Sequence, residues 1–371
     1  MAASDIDPRD SSRPWGRIGL ISCCQGLTVM ANSIVFVVSA LATKMITTNA
    51  NLFTFPIFCQ HVSATVTAVP ASLIMRQFGR RIGFSIGAIS GVSGAMISVV
   101  ALYKMSLSLL CLGALFLGIF QGFGSFYRFA ALELAPASAK ARAMSWAVGG
   151  GILAALFGPQ LARSSYNFIP TIPFAGSYAA YACLGIVILC LLQVVVLPKP
   201  SATVVQESRR DFLSIVIQPT YLVAVTGSAI SYAVMSFLMT ATPLAMADCD
   251  FDLADTAFVI QWHILGMFAP SLVTGRLIEF FGVRRIMIFG AVLMTGSLAV
   301  ALSGQLLMQF WLALFLLGVG WNFLFIGGST LLTETSRPQE KAIAQGFHDA
   351  VVAVTIAMTT LSSGPLQGQF G

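Results

Sequence analysis

Charged side chains are scarce in this sequence. Of its 371 residues only 9% are Asp, Glu, Lys or Arg, whereas 57% are apolar. A soluble globular domain carries roughly one quarter charged residues, so the composition excludes a protein whose surface lies mainly in water. Apolar runs of about 20 residues, the length that crosses a bilayer as a helix, recur along the chain. The sequence is therefore that of a membrane protein.

The motifs of soluble catalysts are also missing. The sequence has no Walker-type phosphate loop, no paired Cys and His spacing for a metal, and no nucleophile elbow. It has 7 cysteines, and all but Cys249 lie in apolar runs, where they are typical of packing residues rather than of disulfides or metal ligands. We expect no enzyme activity, no cofactor and no nucleic-acid partner.

The apolar runs predict an all-α membrane protein. They do not alternate in polarity as the strands of a barrel do, and a helix satisfies its own backbone hydrogen bonds in hydrocarbon. Eleven spans are predicted, beginning near Gly16, Asn51, Ile82, Ser106, Ala143, Phe174, Phe212, Asp255, Ile286, Met308 and Ala342.

The positive residues predict the orientation. If the N-terminus is cytoplasmic, every Lys and Arg falls on the cytoplasmic side except Lys44, Lys104 and Arg163, which lie outside, and Arg128, which lies within a span. This is the asymmetry of the positive-inside rule, and it accounts for the net charge of +6. Residues 1–15 are a polar cytoplasmic tail without the apolar stretch of a cleavable signal. The expected location is the cell (inner) membrane.

An internal repeat divides the chain. Gly79 recurs as Gly282, His61 as His263, and the "ALFL" at Ala114 as that at Ala313, with steps of 203, 202 and 199 residues. A duplication of six spans explains all three steps. We expect an N-terminal half at 16–196, a polar cytoplasmic linker at 197–212 and a C-terminal half at 213–371. The chain ends just after the eleventh span, so the last helix of the second half is expected to be absent from it.

The loops that follow the second and eighth spans carry a phrase of the form G-x-x-x-[DE]-x-x-G-x-R-R. Its second copy contains Gly275, Glu279, Gly282, Arg284 and Arg285, and its first copy contains Gly79, Arg80 and Arg81, with Ser72 and Arg76 in place of the glycine and the acid. With two six-helix halves, the chain resembles the major facilitator superfamily (MFS) of secondary transporters, bacterial 12-helix type. This resemblance implies rocking of the two halves around a central site, driven by an ion gradient.

Two other family motifs are altered. Helix four keeps Gln121 of an "R-x-x-Q-G-x-G" motif but has Gly118 where the arginine belongs, while Arg128 lies seven residues beyond Gln121. Helix five keeps Gly158 and Pro159 of an antiporter motif but has lost its final glycines, which weakens the case for drug–proton antiport.

The resemblance also assigns a conformational switch to the two loops. In the family, the first loop docks at the start of helix eleven and the second at the start of helix five, which stabilises the outward-facing state. Glu279 suits the positive end of a helix, whereas Arg76 would be repelled. We therefore expect a reversed ion pair of Arg76 with Glu340 or Asp349; the alternative is that Arg76 only helps to set the topology.

Ionisable and polar residues within the spans are candidates for the substrate or proton pathway, since they are costly in lipid. Arg128 could bind an anionic group of a substrate or pair with Glu133. His61 and His263 are expected near mid-depth, where an imidazole could titrate or simply pack. Asp349 is a candidate proton carrier.

Three further residues join this candidate set. His348 is adjacent to Asp349, so the two are expected to face different sides of helix eleven. Trp321 and Asn322 could bind a planar ligand, or form a tight helix contact in which the amide is satisfied.

The expected function is secondary active transport of a small organic solute by a monomer, most simply proton-coupled export. Two alternatives stay open: uptake of a vitamin-like planar compound such as a flavin, suggested by the aromatic content, and a membrane sensor that does not transport. The intramembrane charges and loop motifs favour transport. The sequence does not predict the coupling ion, which could be a proton or another ion.

Overall fold

In the computed structural model, residues 14–135, 140–195, 197, 212–335 and 341–370 are described. Helices make up nearly all of these residues. The first half contains α1 (Pro14–Ile46), α2 (Phe55–Phe78), α3 (Arg80–Tyr103), α4 (Leu107–Gly124), α5 (Tyr127–Leu134), α6 (Lys140–Ser165) and α7 (Ala175–Val194). The second contains α8 (Phe212–Val216), α9 (Pro219–Asp248), α10 (Leu253–Phe268), α11 (Ser271–Phe281), α12 (Val283–Ala301), α13 (Leu307–Thr335) and α14 (Lys341–Phe370).

Each predicted span corresponds to a helix or a broken helix. Within the described ranges, nine helices are long and apolar enough to cross a membrane, and α10 with α11, bent by 42°, would form a tenth. The fifth predicted span corresponds to α6, part of whose side chains lie outside the described residues, and this helix packs between α1 and α10. Most of the predicted linker lies outside the described residues.

The seventh span begins later than predicted. The sequence placed its start near Phe212, but the chain forms only the short α8 there and begins the long α9 at Pro219. Gln218 is extended, as expected of a residue before proline. Proline fits the first turn of a helix, where no intrahelical N–H bond is needed, so it marks the start of the span.

Two spans depart from a regular helix. The fourth has a turn at Ser125 and Phe126, between α4 and α5, but still counts as one membrane-spanning stretch, whereas the eighth is bent by 42° at Ala269 and Pro270, between α10 and α11. Gln121 and Arg128 lie on either side of the turn in the fourth span. The apolar run continues through both positions, which is why the sequence predicted unbroken spans.

The two halves share the same packing plan. The contacts of α2 and α3 with α4 are repeated by those of α10 and α12 with α13. Small residues allow the close crossings: a Cβ on Gly118 would lie 2.2 Å from the Gln60 carbonyl oxygen, and one on Gly318 would lie 2.4 Å from that of His263. The predicted duplication is thus visible in the helix packing.

The halves contact each other mainly through α6 with α10, α2 with α14, and α1 with α9. We call the end where α1 stops the Lys44 end, and the end where α2 meets α3 the Gly79 end. The close contacts described between the halves lie at the Lys44 end or at mid-depth. Examples are Gly364 against Thr54 at that end and the Gln160 amide, which donates to Gln261 Oε1 at 2.7 Å.

Candidate functional site

The first loop phrase forms a one-residue turn between two helices. Gly79 joins α2 to α3 with φ 91° and ψ 158°, a conformation that is essentially restricted to glycine. Arg80 forms a two-point ion pair with Glu133 of α5, in which Nε donates to Oε2 at 2.6 Å. Arg81 donates to the carbonyl and the side-chain oxygen of Gln193 on α7, at 2.7 and 2.9 Å. These arginines connect helices within the first half.

The second loop phrase has the same backbone turn. Gly282 joins α11 to α12 with φ 86° and ψ 146°. Arg284, Arg285 and Glu279 are exposed, and none of them forms an ion pair with a side chain that the structure describes. Gly275 lies within α11 with no neighbouring atom within 4 Å of an added Cβ.

The expected pairing of Arg76 with Asp349 is not formed. Arg76 is exposed on α2, while the described partner of the Asp349 carboxylate is His348. Glu340, the other expected partner, lies outside the described residues. In this structure neither loop is attached to the opposite half by a contact among the described residues.

An ion pair that the sequence did not predict connects the halves at the Lys44 end. The Lys44 ammonium at the end of α1 contacts the Asp248 carboxylate at the end of α9. The two residues are 204 positions apart, almost the step between the glycine turns. They therefore occupy equivalent positions of the two halves with opposite charge, a relation that could have been found by aligning the repeats.

Arg128 is not paired with Glu133, because Glu133 binds Arg80. Its guanidinium lies over the Phe129 ring, 4.9 Å from the centroid. The Nε atom is buried and has no hydrogen-bond partner among the described residues. Arg128 is therefore a partly buried cation in the part of the fourth span nearer the Gly79 end, with one donor atom that no described residue satisfies.

Three aromatic rings of the second half form a cluster between α9 and α13. Trp321 and Phe325 stack with centroids 4.9 Å apart, and Tyr232 of α9 meets them edge-on at 5.2 and 5.5 Å. Sequence reasoning identified Trp321 but missed Tyr232 and Phe325, which carry no motif.

Asn322 forms a helix contact rather than an open binding group. Its amide donates to the Met267 carbonyl and to the Ser271 hydroxyl, both at 2.6 Å, and its oxygen accepts from Thr274 at 2.7 Å. These bonds join α13 to the break between α10 and α11. All of this polar capacity is used within the protein, which favours the structural alternative for Asn322.

The two repeat-related histidines are buried within their halves. His263 is fully buried, and its Nδ1 lies 2.8 Å from the Leu314 carbonyl oxygen. His61 lies 6.1 Å from the Phe36 ring, centroid to centroid. The Nε2 atom of each has no hydrogen-bond partner among the described residues. His263 thus connects α10 to α13, while the His61 side chain has no equivalent bond.

His348 and Asp349 do meet, contrary to the expectation from their adjacency. Nδ1 of His348 lies 3.0 Å from Oδ1 of Asp349. The His348 side chain is buried, whereas 64% of the Asp349 side chain is exposed. Neighbouring residues point in different directions on a helix, but the long imidazole reaches the carboxylate of the next residue. The two form one acid–base pair on α14.

Gln121 belongs to a polar chain inside the first half. The Gln60 amide donates to Asn32 Oδ1 and to Gln121 Oε1, both at 3.2 Å. The three residues lie on α1, α2 and α4, so the chain crosses the centre of that half. The amide nitrogen of Gln60 is thus satisfied, while its Oε1 atom has no hydrogen-bond partner among the described residues.

A duplicated helical fold with ionisable residues between its halves defines a multi-pass membrane transport protein of the two-domain type. More specifically, the chain belongs to the Major Facilitator Superfamily, whose family model matches residues 21–360. The family and the names of the relatives are those of transporters of small molecules rather than of enzymes.

The chain is 36% identical over 361 residues to a riboflavin transporter of Brucella anthropi, RfnT, covering 96% of this chain and 90% of that protein. It is 30% identical over 334 residues to YddS, an uncharacterised MFS-type transporter of Bacillus subtilis, covering 85% and 74% of the two chains.

Solved structures share the fold at low sequence identity. A D-xylose–proton symporter superposes with a TM-score of 0.71 at 16% identity, covering 94% of this chain and 89% of that one. A bacterial homologue of the human lysosomal transporter Spinster, in an inward-facing conformation, gives a TM-score of 0.70 at 14% identity, covering 94% and 81%.

Proposed function

We propose that this protein transports a flavin-type solute across the cell membrane by alternating access, with a proton as the coupling ion. The single observation that carries the mechanism is Arg128, a partly buried cation whose Nε atom has no hydrogen-bond partner among the described residues, in a protein whose halves are joined at the Lys44 end. A buried donor without a partner is costly, and a ligand that enters between the halves could supply the missing acceptor.

The similarity to a riboflavin transporter supports the choice of solute. The match extends over 96% of this chain, so it includes both halves and the residues between them. Riboflavin has a planar ring with carbonyl oxygens and a hydroxylated tail. Aromatic side chains and hydrogen-bond donors are the groups that bind such a molecule, and both occur at the centre of this protein.

The orientation and the state follow from the distribution of positive charge. The loops at the Gly79 end are rich in Lys and Arg, so we place this end in the cytoplasm. The structure then corresponds to the inward-facing state, because the halves contact each other at the outer, Lys44 end. In the family, the two loops dock onto the opposite half in the outward-facing state. The lack of such contacts among the described residues agrees with an inward-facing state.

Asp349 is the residue that we assign to proton coupling. Its carboxylate is accessible and contacts His348. Protonation of this carboxylate removes its attraction for the imidazole. The proton would then act on α14.

Transport of labelled riboflavin into proteoliposomes, with and without an imposed pH gradient, tests this proposal. More riboflavin should accumulate than in protein-free vesicles. The polarity of the pH gradient that drives this accumulation shows whether the direction is uptake or export. Asp349→Asn should abolish the response to the gradient, while Asp250→Asn, at a loop carboxylate of the Lys44 end, should not.

No riboflavin movement by folded protein would exclude riboflavin as the solute. An unchanged gradient response in Asp349→Asn would exclude a role of Asp349 in proton coupling. Binding without movement would favour a sensor.

A further inference from the structure

Two neighbouring cavities lie at the Gly79 end of the second half. One, of about 290 Å³, lies between α11, α12 and α13. The other, of about 440 Å³, extends from the α11–α12 turn to the start of α9. Phe281 and Arg285 line both cavities, and we call the two together the Arg285 groove. All the residues that line it belong to the second half, so the groove is separate from the space between the halves.

The wall of the Arg285 groove is aromatic. Phe289 lies one helical turn after Arg285, on the same face of α12, and its ring centroid is 5.9 Å from that of Phe323 on α13. The Phe289 side chain is 52% exposed. Residues Val283–Ala301 are long and apolar enough to span the membrane, so Phe289 faces hydrocarbon. Arg285, in the first turn of that span, lies at the level of the lipid head groups.

The mouth of the groove carries two cations. Arg284 and Arg285 are exposed, and neither forms a hydrogen bond or ion pair with a described residue. A guanidinium binds a phosphate through parallel N–H donors. A free anion would use only these cations. A phospholipid instead carries a phosphate with acyl chains below it, which matches a groove with cations at the membrane surface and apolar rings one turn deeper.

The repeat indicates which face of α12 is open to lipid. In the first half, Gln193 of α7 contacts Arg81 and Ser85 of α3. Ile82 and Ile86, on a different face of α3, are 49% and 40% exposed. A helix that packs on α3 as α7 does therefore leaves the face of these two isoleucines uncovered.

The groove occupies the equivalent face of the second half. The step of 203 residues between the glycine turns places Arg285 and Phe289 at the positions of Ile82 and Ile86. This face is thus apolar and open in both halves, but only the second half has a cation at its membrane surface. The combination of charge and aromatic groove is a property of the second half.

We propose that the Arg285 groove binds an anionic phospholipid, with the phosphate on Arg284 and Arg285 and one acyl chain along Phe289 and Phe323. Each arginine near the membrane surface contributes about 1 kcal/mol to the attraction for an anionic lipid. The rings select for a chain rather than for a soluble anion. The site does not depend on which solute is transported or in which direction.

Native mass spectrometry of the full-length protein, freed of bound lipid in detergent, tests the assignment. The probes are phosphatidylglycerol and phosphatidylcholine with identical acyl chains. The wild-type protein should bind one phosphatidylglycerol at least about fivefold more tightly than phosphatidylcholine. Arg285→Gln should reduce this preference about fivefold without changing the binding of phosphatidylcholine. Phe289→Ala should weaken both lipids alike, about three- to tenfold, because it removes a contact with the chain.

Arg276→Gln is the matched control. Arg276 is another exposed arginine of α11 at the same end, and it lines neither cavity. Its replacement removes the same charge and should leave the preference for phosphatidylglycerol unchanged. Because Arg276 and Arg285 are both exposed, neither change should alter folding.

Four results would overturn the proposal. Equal losses in Arg276→Gln and Arg285→Gln would show attraction to the whole basic surface. A wild-type protein without preference for phosphatidylglycerol would exclude recognition of the lipid charge. Displacement of phosphatidylglycerol by an equal concentration of inorganic phosphate would assign the arginines to a free anion. A dimer in the spectra that Phe289→Ala dissociates would assign the groove to a second copy of the chain.

Discussion

The two halves have the same backbone turn after their second helix but differ in what their arginines contact. In the first half Arg80 binds Glu133 and Arg81 binds Gln193. In the second half Arg284 and Arg285 are exposed, and neither forms a hydrogen bond or ion pair with a side chain that the structure describes. The backbone of the repeat is thus retained while its side-chain contacts differ. We therefore expect the halves to respond alike to a substitution at the backbone turn and differently to a substitution at its arginines.

The largest expected effect concerns the turns themselves, where the halves are alike. Gly79→Ala and Gly282→Ala should each lower stability by about 1–3 kcal/mol, because both glycines have a positive φ. No atom lies within 4 Å of an added Cβ at either position, so the cost is backbone strain and not a clash. Thermal unfolding in detergent measures it.

Gly275→Ala is the control for this comparison. Gly275 is helical and equally uncrowded, so its replacement should cause no loss and even a small gain, because alanine is the better helix former. A large loss for Gly79→Ala together with none for Gly282→Ala would show that the two turns are not equivalent.

A smaller effect is expected at the Lys44 end, where equivalent positions carry opposite charges. Asp248→Lys would replace an attraction with a repulsion of about 1 kcal/mol, which shifts the equilibrium away from the closed Lys44 end about fivefold. The expected result is faster labelling of Ala50→Cys by a membrane-impermeant thiol reagent, measured against the protein without that cysteine. The exchange of both residues, Lys44→Asp with Asp248→Lys, should restore slow labelling.

Labelling that stays fast in the protein with both residues exchanged would show that the ion pair does not hold the Lys44 end closed, and that Lys44 and Asp248 act on this end separately. Unchanged labelling in Asp248→Lys would mean that the apolar contacts close this end without help from the ion pair.

The smallest effect should be found at the loop arginines. Arg80→Gln should lower stability by about 0.2–1 kcal/mol, the range of partly exposed ion pairs, because Glu133 loses its partner. Arg284→Gln, at the second turn, should change stability less, since no described side chain forms a hydrogen bond or ion pair with it. Equal losses in thermal unfolding would indicate a partner for Arg284 outside the described residues and would remove this difference between the halves.

The spans and the duplication could be predicted from the sequence because both depend on local features. Apolar runs are continuous, and Gly79 and Gly282 mark the same turn in both halves. The breaks before Tyr127 and Ser271 could not be predicted in the same way, because the hydropathy does not change there. Pro270 was a signal for the second break, since proline lacks the N–H that a continuous helix requires.

The site was less predictable because its residues come together only in three dimensions. Arg128 and Trp321 were identified from their chemistry, yet the partner of Glu133 was assigned by proximity in sequence and proved to be Arg80. Tyr232 and Phe325 belong to apolar runs without a motif, so only the packing of α9 against α13 identifies them. The contact between His348 and Asp349 depends on side-chain length, which helical periodicity does not describe.

The bonds of Asn322 have a consequence for how the chain enters the membrane during synthesis. The break in the eighth span frees the Met267 carbonyl from its helical partner, and Asn322 of the tenth span satisfies it. When the ribosome has made only the eighth span, this carbonyl would face lipid unbonded, at a cost of several kcal/mol. The eighth segment should therefore stay beside the translocation machinery until the tenth has been synthesised, so insertion of this region is cooperative and not sequential.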